Sequence, residues 1–145
     1  MDTYIRRDMP KLLKVYNDRL FSKVLPLRDG FVKWKRHADY LSPNSKKTGA
    51  TLALRVNGEP RIVGIRMFLK LAGTTEGYAA TLLHECIHAF QLLQGVYSID
   101  SSNEEAHGTQ FIKEVERCVN KMKNVKLPHP FSTITLQTQD VLGTW

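Results

Sequence analysis

The pentapeptide His84-Glu85-Cys86-Ile87-His88 constrains the fold more than any other feature, because it lies in a long apolar stretch. The apolar spacing around it predicts a helix that begins near Thr74 or Thr75 and ends before Gly95. Two histidines four residues apart lie on one face of a helix, so their ring nitrogens can converge on one metal ion. The chain is therefore expected to pack its core around a helix that carries a pair of metal ligands.

A catalytic zinc site needs a third protein ligand and an open position for water. Three side chains of suitable chemistry follow the motif helix: His107, 19 residues past His88, and Glu104 and Glu105, 16 and 17 residues past it. We favour His107, which completes a three-histidine site, whereas either glutamate would complete a His2Glu site. Glu85 is costly to bury on an apolar helix unless it has a partner, so we interpret it as the group that acts on water at the metal.

The remaining sequence predicts two further main helices and a small β-sheet, and hence an α+β fold. A first helix is expected over residues 8–24 and a third from Glu104 or Gly108 to Met122. Strands are expected over residues 31–36, 51–56 and 61–65, the last two joined by a hairpin at Asn57-Gly58. Residues 131–137 alternate in part, which predicts a last strand or an extended tail.

Length and composition favour one domain spanning residues 1–145, long enough to bury a core. No apolar run approaches the ~20 residues that a membrane-spanning helix needs, so no membrane association is expected. The first residues lack the apolar segment of a secretory signal. Cys86 and Cys118 are the two cysteines of the chain, which is too few for a disulfide framework. We expect an intracellular protein, in the cytoplasm or the nucleus.

The net charge of +7 is distributed unevenly along the chain. Residues 1–72 hold 16 Lys and Arg against 6 Asp and Glu, whereas residues 73–145 hold 5 against 8. A basic region beside a candidate catalytic cleft suggests a polyanionic partner, most simply nucleic acid. The alternative is a solvated surface that serves solubility alone.

Other side chains have alternative interpretations. Tyr78 or Tyr97 could assist an oxyanion, and no pattern favours either of them over the other. Trp34 could stack on a base, although core packing is the commoner use of a tryptophan. Ser102, which precedes Asn103 and the two glutamates, is expected to cap a helix.

Several segments together resemble the SprT-like zinc metalloproteases, the group that includes Spartan. His84 to Ala89, preceded by two leucines, is similar to the Leu-Leu-His-Glu-x-x-His-Ala helix of that family, and His107 to Phe111 is similar to its His-Gly-x-x-Phe element. Asn17 to Phe21 is similar to its Asn-x-x-Leu-Phe core. The likeness covers about residues 10–137, and the combination is more specific than the pentapeptide, which many zincins share.

The resemblance implies a zincin-like protease core in which His84, His88 and His107 bind zinc and Glu85 is the catalytic acid/base. It also implies a protein substrate, and Spartan-type members cut proteins crosslinked to DNA. Many members carry a cysteine-rich zinc ribbon after the core, which this chain lacks. The expected function is thus a DNA-associated zinc endopeptidase. The alternatives are a DNA-independent metallopeptidase and a non-catalytic DNA-binding module in which zinc joins two helices.

Overall fold

The computed structural model describes residues 3–70 and 73–143 and has the predicted α+β class, with three main helices and a three-stranded mixed sheet. The elements in chain order are α1 (Thr3–Leu20), β1 (Val32–Arg36), α2 (His37–Tyr40), β2 (Gly49–Val56), β3 (Glu59–Leu69), α3 (Thr75–Leu93), α4 (Asn103–Ala106), α5 (Thr109–Met122) and α6 (Thr138–Leu142). No helix among the described residues is both long and apolar enough to cross a membrane.

The sheet has the strand order β1-β3-β2, with β1 parallel and β2 antiparallel to the central β3. The predicted hairpin at Asn57-Gly58 is confirmed: both residues have positive φ angles, 52° and 82°, as a tight two-residue hairpin turn requires. The strands β2 and β3 are longer than the sequence predicted. Among the described strands β2 pairs with β3 alone, and residues of β2 line a cleft beside α3.

The core is one cluster that joins one face of the sheet to α1, α3 and α5. Leu12 and Tyr16 of α1, Met67 of β3, Leu83 of α3 and Val115 of α5 are all fully buried within it. The helix α3 is buried on most of its surface, which explains why it is apolar all round rather than along one stripe. Its start is confirmed, since the Thr74 side chain caps it by accepting from the Gly77 N–H.

The first helix differs from the prediction of residues 8–24. It begins at Thr3, includes Pro10 and ends at Leu20. The end comes early because Ser22 and Lys23 adopt positive φ angles of 50° and 63°. Asn17 stabilises the turn that follows, since its buried side chain bonds both the N–H and the carbonyl of Leu25. The Asn-x-x-Leu-Phe segment thus serves to end the helix and fix the chain behind it.

The C-terminal segment also differs in part from the sequence prediction. Residues 131–137 form a turn and an irregular stretch that leads into α6 and joins no strand of the described sheet, so the predicted strand is wrong. The third helix is divided in two at His107, into α4 and α5. The short helix α6 was not predicted, yet it packs against both α3 and α5 and buries Val141 completely.

Candidate metal centre

The motif helix places two of the three predicted ligands side by side. His84 and His88 are four residues apart on α3, and their Nε2 atoms lie 3.1 Å from each other. Their rings meet edge to face with centroids 4.7 Å apart, so both nitrogens turn toward the same point. The helical repeat alone is sufficient to produce this pair.

The third ring comes from the junction between α4 and α5. His107 follows α4 directly, and its Nε2 lies 3.2 Å from that of His84 and 3.0 Å from that of His88. The three nitrogens form a nearly equilateral triangle. Among the described residues, these three histidines form a group that could hold a metal ion. Tetrahedral zinc with bonds of about 2.0–2.1 Å separates its ligand atoms by roughly 3.3 Å, so the triangle fits such an ion with little adjustment.

The two glutamates that were alternatives for the third ligand lie outside this cluster. Glu105 has a structural part, because its side chain accepts from the Ser102 N–H while the Ser102 hydroxyl accepts from the Glu105 N–H. Glu104 is exposed on α4. The expected capping function of Ser102 is therefore confirmed, and the geometry brings His107 rather than a carboxylate to the two histidines of α3.

Backbone carbonyls and one hydroxyl fix the orientation of the three rings. Nδ1 of His84 lies 2.6 Å from the Val141 carbonyl, and Nδ1 of His107 lies 2.7 Å from the Asn103 carbonyl. A carbonyl can only accept, so each of these rings carries its proton on Nδ1 when neutral. The Nε2 atoms of both rings then present lone pairs to the triangle.

The ring of His88 is held in the same way by Tyr97. The Tyr97 hydroxyl donates to the His88 carbonyl at 3.1 Å, so its oxygen accepts from Nδ1 of the His88 ring at 2.9 Å. Three lone pairs therefore converge within about one bond length of a common centre, an arrangement that a cation stabilises. Tyr97 thus orients a ligand, and its hydroxyl is already engaged, which differs from the oxyanion function considered for it.

Burial keeps the triad neutral, as metal ligands must be. It lowers the pKa of His88 to about 2, with further lowering from the charges of His84, His107 and Lys47. Burial likewise lowers the pKa of His84, against the opposing effect of the Val141 carbonyl. The pKa of His107 is lowered by burial too. At neutral pH all three rings are therefore available as nitrogen ligands.

Glu85 lies beside the triad on the same helix and is 6% exposed. Its Oε2 is 4.0 Å from Nε2 of His84. The Thr51 hydroxyl lies 2.9 Å from Oε1 and 2.8 Å from the Glu85 backbone carbonyl, and it shares its one proton between these two acceptors. Burial raises the pKa of the Glu85 carboxyl from 4.5 to about 7, against the lowering effects of Thr51 and Lys47. A carboxyl group with this pKa can both accept and release a proton near neutrality.

The strand β2 approaches Glu85 closely because it begins with a glycine. A Cβ atom on Gly49 would lie 2.9 Å from the Thr81 side chain and 3.1 Å from Cγ of Glu85. Such distances require a neighbour to move. Gly49 therefore allows the free edge of the sheet to border the carboxyl group and the triad.

A cleft of about 660 Å³ opens over the three histidines and Glu85. The edge of β2 forms one wall, the segment from Tyr97 to His107 forms another, and the end of α6 closes one side. Lys46 and Lys47, from the loop before β2, lie at its rim. The cleft has the size of a small-molecule or peptide site.

Several functional contacts could not be found from the sequence. The carbonyls of Val141 and Asn103 orient ligands, but a backbone atom has no residue-type signature. Thr51 lies 34 residues from Glu85 along the chain. The sequence predicts that Thr51 lies on a strand but does not show which side chain it contacts. The core-packing interpretation of Trp34 is confirmed, since its ring packs edge to face on Tyr78 with centroids 5.3 Å apart. The oxyanion interpretation of Tyr78 is not supported, because its hydroxyl bonds the backbone of Lys70 and the residue does not line the cleft.

The arrangement combines three neutral nitrogen ligands, a carboxyl group poised near neutrality and a cleft that admits a ligand. These are the parts that metal-assisted hydrolysis requires. Comparisons of the chain with protein-family models, with curated proteins and with solved structures each found no match.

Proposed function

We propose that this chain is a zinc-dependent endopeptidase of the SprT-like type, with a zincin-like core, that acts on DNA-bound or DNA-crosslinked proteins. The observation that carries the peptidase part is the triangle of His84, His88 and His107 nitrogens with Glu85 beside it. A purely structural zinc site is closed by four protein ligands, whereas three ligands leave a position for water. The buried carboxyl group next to that position supports catalysis over structural stapling.

Zinc held by the three histidines would lower the pKa of a water toward neutrality and polarise the scissile carbonyl. Glu85 accepts the proton of the attacking water and delivers it to the departing amine. Burial raises the pKa of this carboxyl to about 7 in the metal-free protein, and a bound cation would lower it toward the ionised form that accepts a proton. Oε1 lies beside the Thr51 hydroxyl, whereas Oε2 lies on the side of His84, where the proton would be accepted.

The free edge of β2 supports a polypeptide as the substrate. An extended chain can add to an exposed strand edge through backbone hydrogen bonds, while its side chains occupy alternate positions. Thr51 and Ala53 of this strand line the cleft that contains Glu85. A substrate aligned in this way passes its backbone carbonyls over the triad, and it needs no free terminus, as an endopeptidase requires.

The charge distribution supports the association with DNA. The basic residues are concentrated in residues 1–72, and Lys46 and Lys47 bring positive charge to the rim of the cleft. A positive surface beside the cleft would concentrate substrates that are attached to a nucleic acid. The specificity would then come from proximity on DNA rather than from a particular cleavage sequence.

The test is proteolysis of a DNA-binding protein by the zinc-loaded chain, with no DNA, with single-stranded DNA and with double-stranded DNA. Glu85→Gln and a chelator serve as controls. The proposal predicts cleavage that requires both DNA and Glu85. Cleavage that requires Glu85 but ignores DNA would overturn the DNA-associated part and leave a general metallopeptidase. Absence of cleavage of several substrates, with zinc bound and DNA retained, would indicate the non-catalytic module.

A further inference from the structure

One face of the sheet carries positive side chains that are exposed or half-buried. Buried Ile65 and Met67 point from β3 toward α1 and α3, so Arg66 between them lies on the opposite face. Lys33 is its register partner on β1, and Lys35 follows two residues later on the same side. Arg61 of β3 lies next to the buried Ile62 and is exposed on this side as well.

An aromatic ring stands among these cations. Tyr40, at the end of α2, is 51% exposed. Nζ of Lys35 lies 5.6 Å and Cζ of Arg66 lies 5.3 Å from the centroid of its ring. The ring also packs against Phe68, with centroids 6.5 Å apart, which anchors it to the sheet. We define the outer sheet face as Lys33, Lys35, Tyr40, Arg61 and Arg66.

The positive charges of this face have no acidic partner within the described part of the chain. Among the described residues none of its four cations takes part in an ion pair, and the nearby Asp39 is paired with Arg36 instead. Nε of Arg66 is buried with no hydrogen-bond partner there. Cations on one surface without acidic partners create a positive potential, which attracts a polyanionic ligand.

We propose that the outer sheet face binds single-stranded nucleic acid. Phosphate groups would contact Lys33, Lys35, Arg61 and Arg66, and Tyr40 would offer a platform for a base, since cations combined with an exposed ring on a sheet suit single strands. The exposed ring favours a single strand over a duplex, because an unpaired base can stack on it whereas the bases of a duplex are stacked on one another.

The position of this face relates it to the cleft. The loop over residues 41–48 runs from Tyr40 to the start of β2, and within it Lys46 and Lys47 line the cleft above the triad. A strand bound on the outer sheet face would therefore hold an attached protein beside the free edge of β2. This inference rests on the proposed function only for that consequence, because binding itself needs neither zinc nor Glu85.

The experiment compares two triple variants that remove the same charge. Lys33→Gln/Lys35→Gln/Arg61→Gln changes the outer sheet face, and the control changes three exposed lysines of the C-terminal half, Lys113→Gln/Lys121→Gln/Lys126→Gln. Fluorescence anisotropy measures binding of a mixed-sequence 20-nucleotide single strand over a range of salt concentrations, in a Glu85→Gln background without added zinc. Melting temperatures confirm that each variant is folded.

The face variant is expected to bind at least about tenfold more weakly than its parent, and the control within about twofold. The plot of log K against log salt concentration has a negative slope, and loss of three phosphate contacts makes this slope shallower by about two. Tyr40→Ala should weaken binding about tenfold with the slope retained, because it removes stacking and not charge.

Equal losses in the two triple variants would overturn the proposal, since net charge alone would then explain binding. The proposal would also be overturned if the face variant bound the single strand normally but no longer bound anionic phospholipid vesicles. That result would indicate that the outer sheet face binds a membrane surface. Because the measurement contains no proteolysis, failure of the peptidase function leaves its result intact. A folded face variant that binds normally, in a chain that still cleaves proteins, would refute this inference alone.

Discussion

The motif helix α3 and the C-terminal segment over residues 103–143 both contribute to the candidate metal centre, but in different ways. The helix α3 supplies His84, Glu85 and His88 from consecutive turns, so one local element fixes their relation. The C-terminal segment supplies His107 and the carbonyls that orient two of the rings, and it depends on packing against α3 to do so. The helix α3 provides two candidate ligands and the carboxyl group. The C-terminal segment provides the third candidate ligand and the carbonyls that orient His84 and His107.

Replacing a ligand from each region tests whether they are equivalent. His88→Ala and His107→Ala should each weaken zinc affinity by on the order of a thousandfold, because each removes one nitrogen from a three-ligand set. Competition with a chromophoric chelator measures the affinity. A Glu105→Gln variant is the control and should bind zinc as the parent does.

If His107→Ala kept the zinc affinity of the parent, the C-terminal segment would supply no ligand. The ligands of α3 would then be sufficient to bind zinc. Loss of zinc affinity in Glu105→Gln would instead indicate that Glu105 is a zinc ligand.

The buried carboxyl of α3 predicts a pH dependence of the zinc-free protein. The pKa of Glu85 is raised from 4.5 to about 7, so its ionisation destabilises the fold as pH rises from about 4.5 to 7. Glu85→Gln removes this effect and should raise the free energy of unfolding at pH 8 by up to about 3 kcal/mol more than at pH 4.5. Urea unfolding in the presence of a chelator measures the difference.

The histidines have the opposite effect on the pH dependence of stability. Because the pKa of His88 is lowered on folding, the unfolded chain binds protons more readily, and the fold loses stability as the pH falls below about 6.5. Both proteins contain these histidines, so the difference between them isolates Glu85. A gap that does not change with pH would show that the carboxyl titrates normally.

Removing α6 tests the contribution of the C-terminal segment to ligand geometry. A chain truncated after Gln137 loses the Val141 carbonyl that holds Nδ1 of His84, and its zinc affinity should fall by about 10–100-fold. Val141→Ala is the matched control, because it removes buried side-chain atoms and keeps the carbonyl. It should lose roughly 1–2 kcal/mol of stability and little affinity.

If the truncated chain remains folded by circular dichroism and binds zinc as tightly as the parent, α6 has no orienting function. Equal affinity losses in the truncation and in Val141→Ala would assign the effect to packing rather than to the carbonyl.

The smallest expected effect concerns the hydroxyl that holds His88. Tyr97→Phe removes one hydrogen bond from Nδ1 of a ligand and should weaken zinc affinity by about tenfold. The same titration measures it, with Tyr78→Phe as a control whose hydroxyl bonds only the backbone near Lys70. An effect as large as that of a ligand substitution would mean that Tyr97 does more than orient the ring.

The sequence predicts the two regions unequally, for a physical reason. The helix α3, its cap at Thr74 and the convergence of His84 and His88 follow from the 3.6-residue repeat, which is local. The position of His107 depends on how the chain packs after Gly95, and its glutamate alternatives could be resolved only in three dimensions. The carbonyl of Val141 and the helix α6 could not be predicted, because a five-residue helix has weak local signals and owes its position to burial of one side chain.

The most direct test of the central claim is one experiment on Glu85→Gln with two measurements: zinc content and cleavage of an unstructured fluorescent polypeptide in the presence of DNA. The substitution keeps the size of the side chain and removes the group that accepts the proton. We predict one zinc ion per chain in both proteins and a loss of cleavage on the order of 10³-fold in the variant. A variant that binds zinc and cleaves like the parent would contradict the assignment of Glu85 as the acid/base beside a three-histidine metal centre.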